Sequence, residues 1–217
     1  HMKPQFLTCK TNGFAPVSVT GSFGEYVDGG EFNGDLKYDF VKNQIFGKFE
    51  LINTRFKNFF VSRAKIISEK EKIYIKADGT YESENFFCDI DASNKFSKNI
   101  IIYKMNMFLN ELIIRKSQNF SSGHTDIASK IKDNDINIEN WEVRIGKIKK
   151  DRIVIKNIEL NGSLKDNTFR FSMPELKFAN GTLTASGRYN FADASSCIDF
   201  AAKNIDSNTA ADMLFNL

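Results

Sequence analysis

Apolar and polar residues alternate with a period of two along most of this chain, and no other feature constrains the fold as strongly. A two-residue period places successive side chains on opposite faces of an extended backbone. Phe32, Gly34, Leu36, Tyr38 and Phe40 share one phase, and Asn33, Asp35, Lys37 and Asp39 share the other. Ile45, Gly47, Phe49 and Leu51 repeat the pattern, as do Ile73, Ile75 and Ala77 against Lys72, Tyr74 and Lys76. Met105, Met107 and Leu109 continue it, followed by Leu112 and Ile114. Further on come Ile136 and Ile138, Trp141, Val143 and Ile145, Ile153 and Ile155, then Ile158 and Leu160. Phe169, Phe171 and Met173 alternate with Arg170 and Ser172. Leu183, Ala185, Gly187 and Tyr189 alternate with Thr182, Thr184, Ser186 and Arg188.

Turn signals separate these runs: Asp28-Gly29-Gly30, Asp78-Gly79, Asn161-Gly162, Lys165-Asp166-Asn167 and Asn180-Gly181. Such pairs tolerate the positive φ angles of tight hairpins. Strands with one apolar face and short connections predict a mainly β fold built as an antiparallel meander. Two architectures satisfy this pattern. One is a curved, groove-like half-barrel sheet with an open apolar face, and the other is a closed β-sandwich whose two apolar faces meet. Helix is scarce: Asn208 to Phe215 is the best candidate, with Ser207 or Asn208 able to cap it. His1 and Met2 resemble an expression-vector scar. Residues 3–116 then read as an N-terminal β segment, 117–130 as a loop or short helix, and 131–217 as a C-terminal β segment of one continuous domain ending in a short helix.

The charge balance limits function. Lys plus Arg is 30 and Asp plus Glu is 27, a net charge of +3, without the clustered basic excess of an electrostatic nucleic-acid binder. No run of apolar residues is long enough to span a bilayer as a helix, which needs about 18. Cys9, Cys88 and Cys197 show no CxxC or metal-ligand spacing and read as small buried hydrophobes. One disulfide plus one free thiol is the alternative in an oxidising compartment.

The candidate chemistry is thin. His124 lies in Ser121-Ser122-Gly123-His124-Thr125-Asp126, but triad members are assembled by folding rather than by adjacency, and no GxSxG elbow accompanies them. Asp133 to Glu139 resembles the start of a calcium loop, yet Ile138 and Arg144 stand where glycine and a carboxylate are needed. Lys147, Lys149, Lys150 and Arg152 form one basic cluster and Lys65, Lys70 and Lys72 another. They read as solvated strand edges, with attraction to anionic head groups as the second reading. Neither a catalytic residue, a metal site nor a cofactor is predicted.

Phenylalanine is more informative: it occurs 21 times and tryptophan once. Phe needs no hydrogen-bond partner, so it suits a sandwich core or an apolar groove for hydrocarbon equally well.

The C-terminal half carries a family resemblance. The stretches are Phe108-Leu109-Asn110-Glu111-Leu112-Ile113-Ile114, Glu159-Leu160-Asn161-Gly162-Ser163-Leu164 and, above all, Phe178-Ala179-Asn180-Gly181-Thr182-Leu183-Thr184-Ala185-Ser186-Gly187-Arg188-Tyr189-Asn190-Phe191. The last runs on through Ile198 to Asp206 and into Ala211-Asp212-Met213-Leu214. Together these resemble the AsmA-like family, which includes TamB and related bacterial envelope proteins. The resemblance implies a non-enzymatic, periplasmic β-sheet segment, tethered to the inner membrane by a segment outside this sequence. Its apolar groove would shield phospholipid acyl chains in transport to, or assembly of, the outer membrane. It also implies outer-membrane assembly partners, while the charge balance argues against nucleic acid. On this expectation the groove is lined by Phe169, Phe171, Met173, Leu183 and Tyr189. The alternative is a closed β-sandwich serving adhesion or protein assembly without binding lipid. The dimensions suit a lipid, since an eight-residue strand spans roughly 26 Å and each methylene shielded from water contributes about 0.8 kcal/mol.

Overall fold

The computed structural model describes residues 6–10, 15–16, 19–21, 24–27, 30–56, 59–81, 84–95, 100–113, 136–150 and 153–215. The chain is mainly β and divides into two compact units, residues 1–105 and 106–217. The loop or helix expected over 117–130, and His124 within it, lie outside the described residues.

The first unit contains β1 (Phe6–Lys10), β2 (Ala15–Pro16), β3 (Val19–Gly21), β4 (Gly24–Val27), β5 (Glu31–Asp39), β6 (Gln44–Phe56), β7 (Phe59–Glu69), β8 (Lys72–Tyr81) and β9 (Glu84–Ser93). Its sheet runs β1-β5-β6-β7-β8-β9, with β2 also on β5 and β3-β4 a separate hairpin. Every strand pairing described in this unit is antiparallel. The register explains the sequence alternation. Phe32, Leu51, Ala64, Ala77 and Cys88 lie opposite one another in a cross-strand row, and Gly34, Phe49, Ile66, Ile75 and Ile90 form the next. The other face carries Asn33, Glu50, Lys65, Lys76 and Asp89 in a row, where Arg63 pairs with Glu50 at 2.8 Å and Lys76 with Asp89 at 3.8 Å. Val61, Ala64, Ile73, Phe86 and Cys88 are buried.

Strand β10 (Ile101–Ile113) crosses from the first unit into the second. The second unit continues with β11 (Asn137–Lys150), β12 (Ile153–Lys165), β13 (Thr168–Phe178), β14 (Gly181–Asn190), β15 (Ser196–Lys203) and the helix α1 (Ser207–Phe215). Its order is β10-β11-β12-β13-β14-β15, and among the described residues β15 pairs only with β14, so the sheet is open at that edge. Two-residue turns with positive φ at both positions, Asp166-Asn167 and Ala179-Asn180, close the β12-β13 and β13-β14 hairpins. The second turn sits one residue earlier than the Asn180-Gly181 signal suggests, and Gly181 opens β14.

Two expected turns are not turns. Asp78-Gly79 lies inside β8 and Asn161-Gly162 inside β12. In both places glycine serves close approach instead: a Cβ on Gly79 would stand 2.0 Å from the Phe60 carbonyl oxygen, and one on Gly162 would stand 1.9 Å from that of Arg170. Apparent breaks between short apolar runs are phase changes within single long strands. Asn157, at φ 55°, lets β12 pass from the Ile153/Ile155 phase to the Ile158/Leu160 phase. Asn53, at φ 51°, does the same in β6, moving burial from Leu51 to Thr54. Register shifts between Ile138 and Trp141, and between Met173 and Leu176, complete the set in β11 and β13.

The helix begins where expected, with a different cap. The Asp206 carboxylate, rather than Ser207 or Asn208, accepts the Thr209 backbone N–H at 2.6 Å. That bond holds the Asp206 carboxyl below the usual carboxylate range. The Asp206 N–H in turn donates to the Ala179 carbonyl at 3.0 Å, tying the helix start to the β13-β14 turn.

Candidate functional site: an apolar face on the second unit

The register of β11 to β15 assembles one apolar face from residues far apart in sequence. Trp141, Gly162, Phe171, Gly187 and Ile198 lie opposite one another in a single row across five strands. On one side of it runs the row Ile138, Leu164, Phe169 and Tyr189; on the other run Met173, Ala185 and Phe200, then Leu176, Leu183 and Ala202. Opposed residues in an antiparallel pair point to the same face. Phe169, Phe171, Met173, Leu183 and Tyr189 therefore share a face, and each is half-buried.

The central row alternates large residues with glycine for a steric reason. A Cβ on Gly162 would come within 2.7 Å of Trp141 Cζ2, and one on Gly187 within 2.7 Å of Phe171 Cε1. Each ring reaches over its neighbour's glycine, where any side chain would collide with it. Trp141 also stacks on Phe169, with ring centroids 5.3 Å apart and planes 5° from parallel, and Phe169 lies 6.4 Å from Phe171. The result is a contiguous aromatic cluster linking β11 and β13.

Burial falls steadily toward the free edge. Trp141, Leu164 and Leu176 are buried, the five expected lining residues are half-buried, and Ile198 and Phe200 are 67% and 65% exposed. Trp141 Nε1 is buried without a hydrogen-bond partner. An unmade buried bond of that kind costs about 1–3 kcal/mol. Trp141, Ile198 and Phe200 extend the expected lining. Trp141 shares its alternating phase with Val143 and Ile145, and only cross-strand register, absent from a linear reading, reveals that Ile198 and Phe200 prolong the rows of Phe171 and Met173.

The opposite face is polar. Glu142, Asn161, Ser172, Ser186 and Asp199 form one row, and Ser163, Arg170, Arg188 and Cys197 the next. Arg144 bonds Glu142 at 2.5 Å and Glu159 at 3.1 Å, which raises its pKa, chiefly through the Glu142 charge. Cys197 is exposed and free, contrary to the buried setting expected for it. Cys88 is buried and free, and burial together with the neighbouring Asp89 pushes its thiol up to about 11.

The Lys147 and Lys149 ammonium groups are not simply solvated. Both hold the Glu111 carboxylate, at 2.5 Å and 2.8 Å, and their hydrogen bonds keep it below the usual carboxylate range. Glu111 is buried and shares the phase of Leu109, an acid on an apolar phase that marks a needed partner. The Lys65, Lys70 and Lys72 side chains are exposed, with the Lys72 Nζ 5.2 Å from the Tyr103 ring centre. Among the described residues no group of His, Cys, Asp and Glu could hold a metal ion, and no helix is long and apolar enough to cross a membrane.

Neither a family model nor a curated protein matches this chain significantly.

Proposed function

We propose that this protein is a non-enzymatic, AsmA-like envelope segment that shields phospholipid acyl chains against the apolar face of its second unit. The observation that carries the reading is the row Trp141–Gly162–Phe171–Gly187–Ile198 and its neighbours: an apolar, aromatic-rich face that grades from buried to exposed toward an open edge. An apolar face suits a hydrocarbon chain, which needs contact along its length and no directional partner. At about 0.8 kcal/mol per methylene, a tail of some sixteen carbons gains on the order of 12 kcal/mol from complete shielding. The chemistry asked of the protein is desolvation alone, and the face supplies it without an acid–base pair.

The setting that fits is the periplasm of a bacterium with two membranes. There the segment would be tethered to the inner membrane and would support phospholipid transport to, or assembly of, the outer membrane with partners there. Native mass spectrometry of the purified protein tests the reading. Phospholipid-mass adducts are expected on the wild type and are expected to be lost from a folded Leu183→Lys variant. A folded wild type that carries no lipid, and takes none up from phospholipid vesicles, overturns the proposal and leaves a β module for adhesion or protein assembly.

A further inference from the structure

We infer that β15 is a self-complementary edge that pairs antiparallel with β15 of a second copy of this chain. All eight residues of Ser196–Lys203 are exposed, although the strand is fully registered against β14 on its other side. An edge strand presents unpaired N–H and C=O groups, and proteins ordinarily blunt such an edge with inward charges, bulges, proline or a covering element. Among the described residues no inward charge, bulge, proline or covering element protects β15: its pairing with β14 runs without a register shift from Ser196 to Lys203, and Ile198 and Phe200 stand exposed on its apolar face.

Charge selects both the partner and the register. Asp199 and Lys203 are the charged residues of the strand, four positions apart and on the same, polar face. If two antiparallel copies align about Ala201, Asp199 of each stands opposite Lys203 of the other, so two opposite-charge pairs form. On the apolar face each Phe200 then stands opposite the other copy's Ala202, and the two Phe200 rings become diagonal neighbours. Aligning about Asp199 instead sets two carboxylates face to face, which is unfavourable. The small Ala201 side chains meet at the two-fold axis without a clash. With that axis perpendicular to the sheet, the apolar faces of both copies lie on the same side. The pairing uses backbone edge bonds and does not rest on lipid handling, so it is measured without lipid.

Sedimentation velocity on the full chain over a concentration series provides the test. The wild type is expected to show a reversible monomer–dimer equilibrium. Asp199→Lys and Lys203→Asp each turn both cross-copy pairs into like-charge pairs and are expected to weaken the dimer by about tenfold or more. The double variant restores opposite charges and is expected to recover most of the wild-type affinity. Both side chains are exposed, so circular dichroism should show unchanged folding. A wild type that stays monomeric throughout, or single reversals that the double variant does not rescue, would overturn the inference.

Discussion

Replacing Gly162 with alanine probes the packing on which the apolar face is built. The added methyl carbon would lie 1.9 Å from the Arg170 carbonyl oxygen and 2.7 Å from Trp141 Cζ2. Both distances are far inside contact, and the first obstacle is backbone, so β12 and β13 must separate and the indole must shift as well. Overpacking of this kind typically costs 1–3 kcal/mol, and the backbone clash argues for about 3 kcal/mol here. With a urea slope of about 2 kcal/mol per molar, the unfolding midpoint should fall by about 1.5 M. Trp141 is the sole tryptophan, so its fluorescence reports from the perturbed spot. The native emission spectrum should shift together with the midpoint. Ser163→Ala, the adjacent residue on the polar face, serves as the control and should move the midpoint little. If Gly162→Ala leaves both midpoint and native spectrum at their wild-type values, the indole does not lie over that glycine and the packing assigned to the apolar face is wrong.

Other expectations follow from single groups. Thiol-specific alkylation of the folded protein should modify Cys197 much faster than Cys88, because the latter is buried and its thiol is pushed up to about 11; equal rates would contradict that burial. Glu111→Gln removes the carboxylate that Lys147 and Lys149 share and should lower the urea midpoint clearly more than Glu175→Gln, which loses only the exposed pair with Lys177. Asp206→Ala should speed amide exchange at Thr209, since its N–H loses its acceptor. The Asp206 and Glu111 carboxyls are depressed in the folded state. Their stabilisation is therefore present in full above the ordinary carboxylate range and is lost as pH falls through the folded values. A stability profile that instead rises with acidification would contradict both assignments.

The sequence conveyed strand identity well and strand length poorly. Alternation located β5, β6, β8 and β10 to β14, because one face of each strand is wet and the other is not. It divided β12 at Ile155 and Ile158 because Asn157 adopts a left-handed backbone, which shifts the apolar phase without ending the strand. A different cause has the same effect in β13, where a register shift moves burial from the Met173 phase to Leu176. Asn161-Gly162 looked like a hairpin because glycine tolerates turns, yet here it makes room for an indole on a neighbouring strand. That demand is tertiary and leaves no local trace. Phe169, Phe171, Met173, Leu183 and Tyr189 could be placed on the apolar phase of their strands from sequence. That they meet on one surface, and that Ile198 and Phe200 extend it, needed the registers of β13 to β15. The capping role fell to Asp206 rather than its neighbours because the chain leaves β15 at Asn204, φ 52°, and the Ala179 carbonyl anchors the Asp206 N–H.

Face-resolved photo-crosslinking to phospholipid tests the account most directly. A photoreactive phenylalanine analogue would be placed at Phe171 or Leu183 on the apolar face, and at Ser172 or Thr184, their neighbours on the polar face. Each variant would be irradiated with phospholipid vesicles and the lipid–protein adducts measured by mass. The account predicts adducts at positions 171 and 183 and few at 172 and 184. Equal labelling on both faces, or none on either, would contradict it.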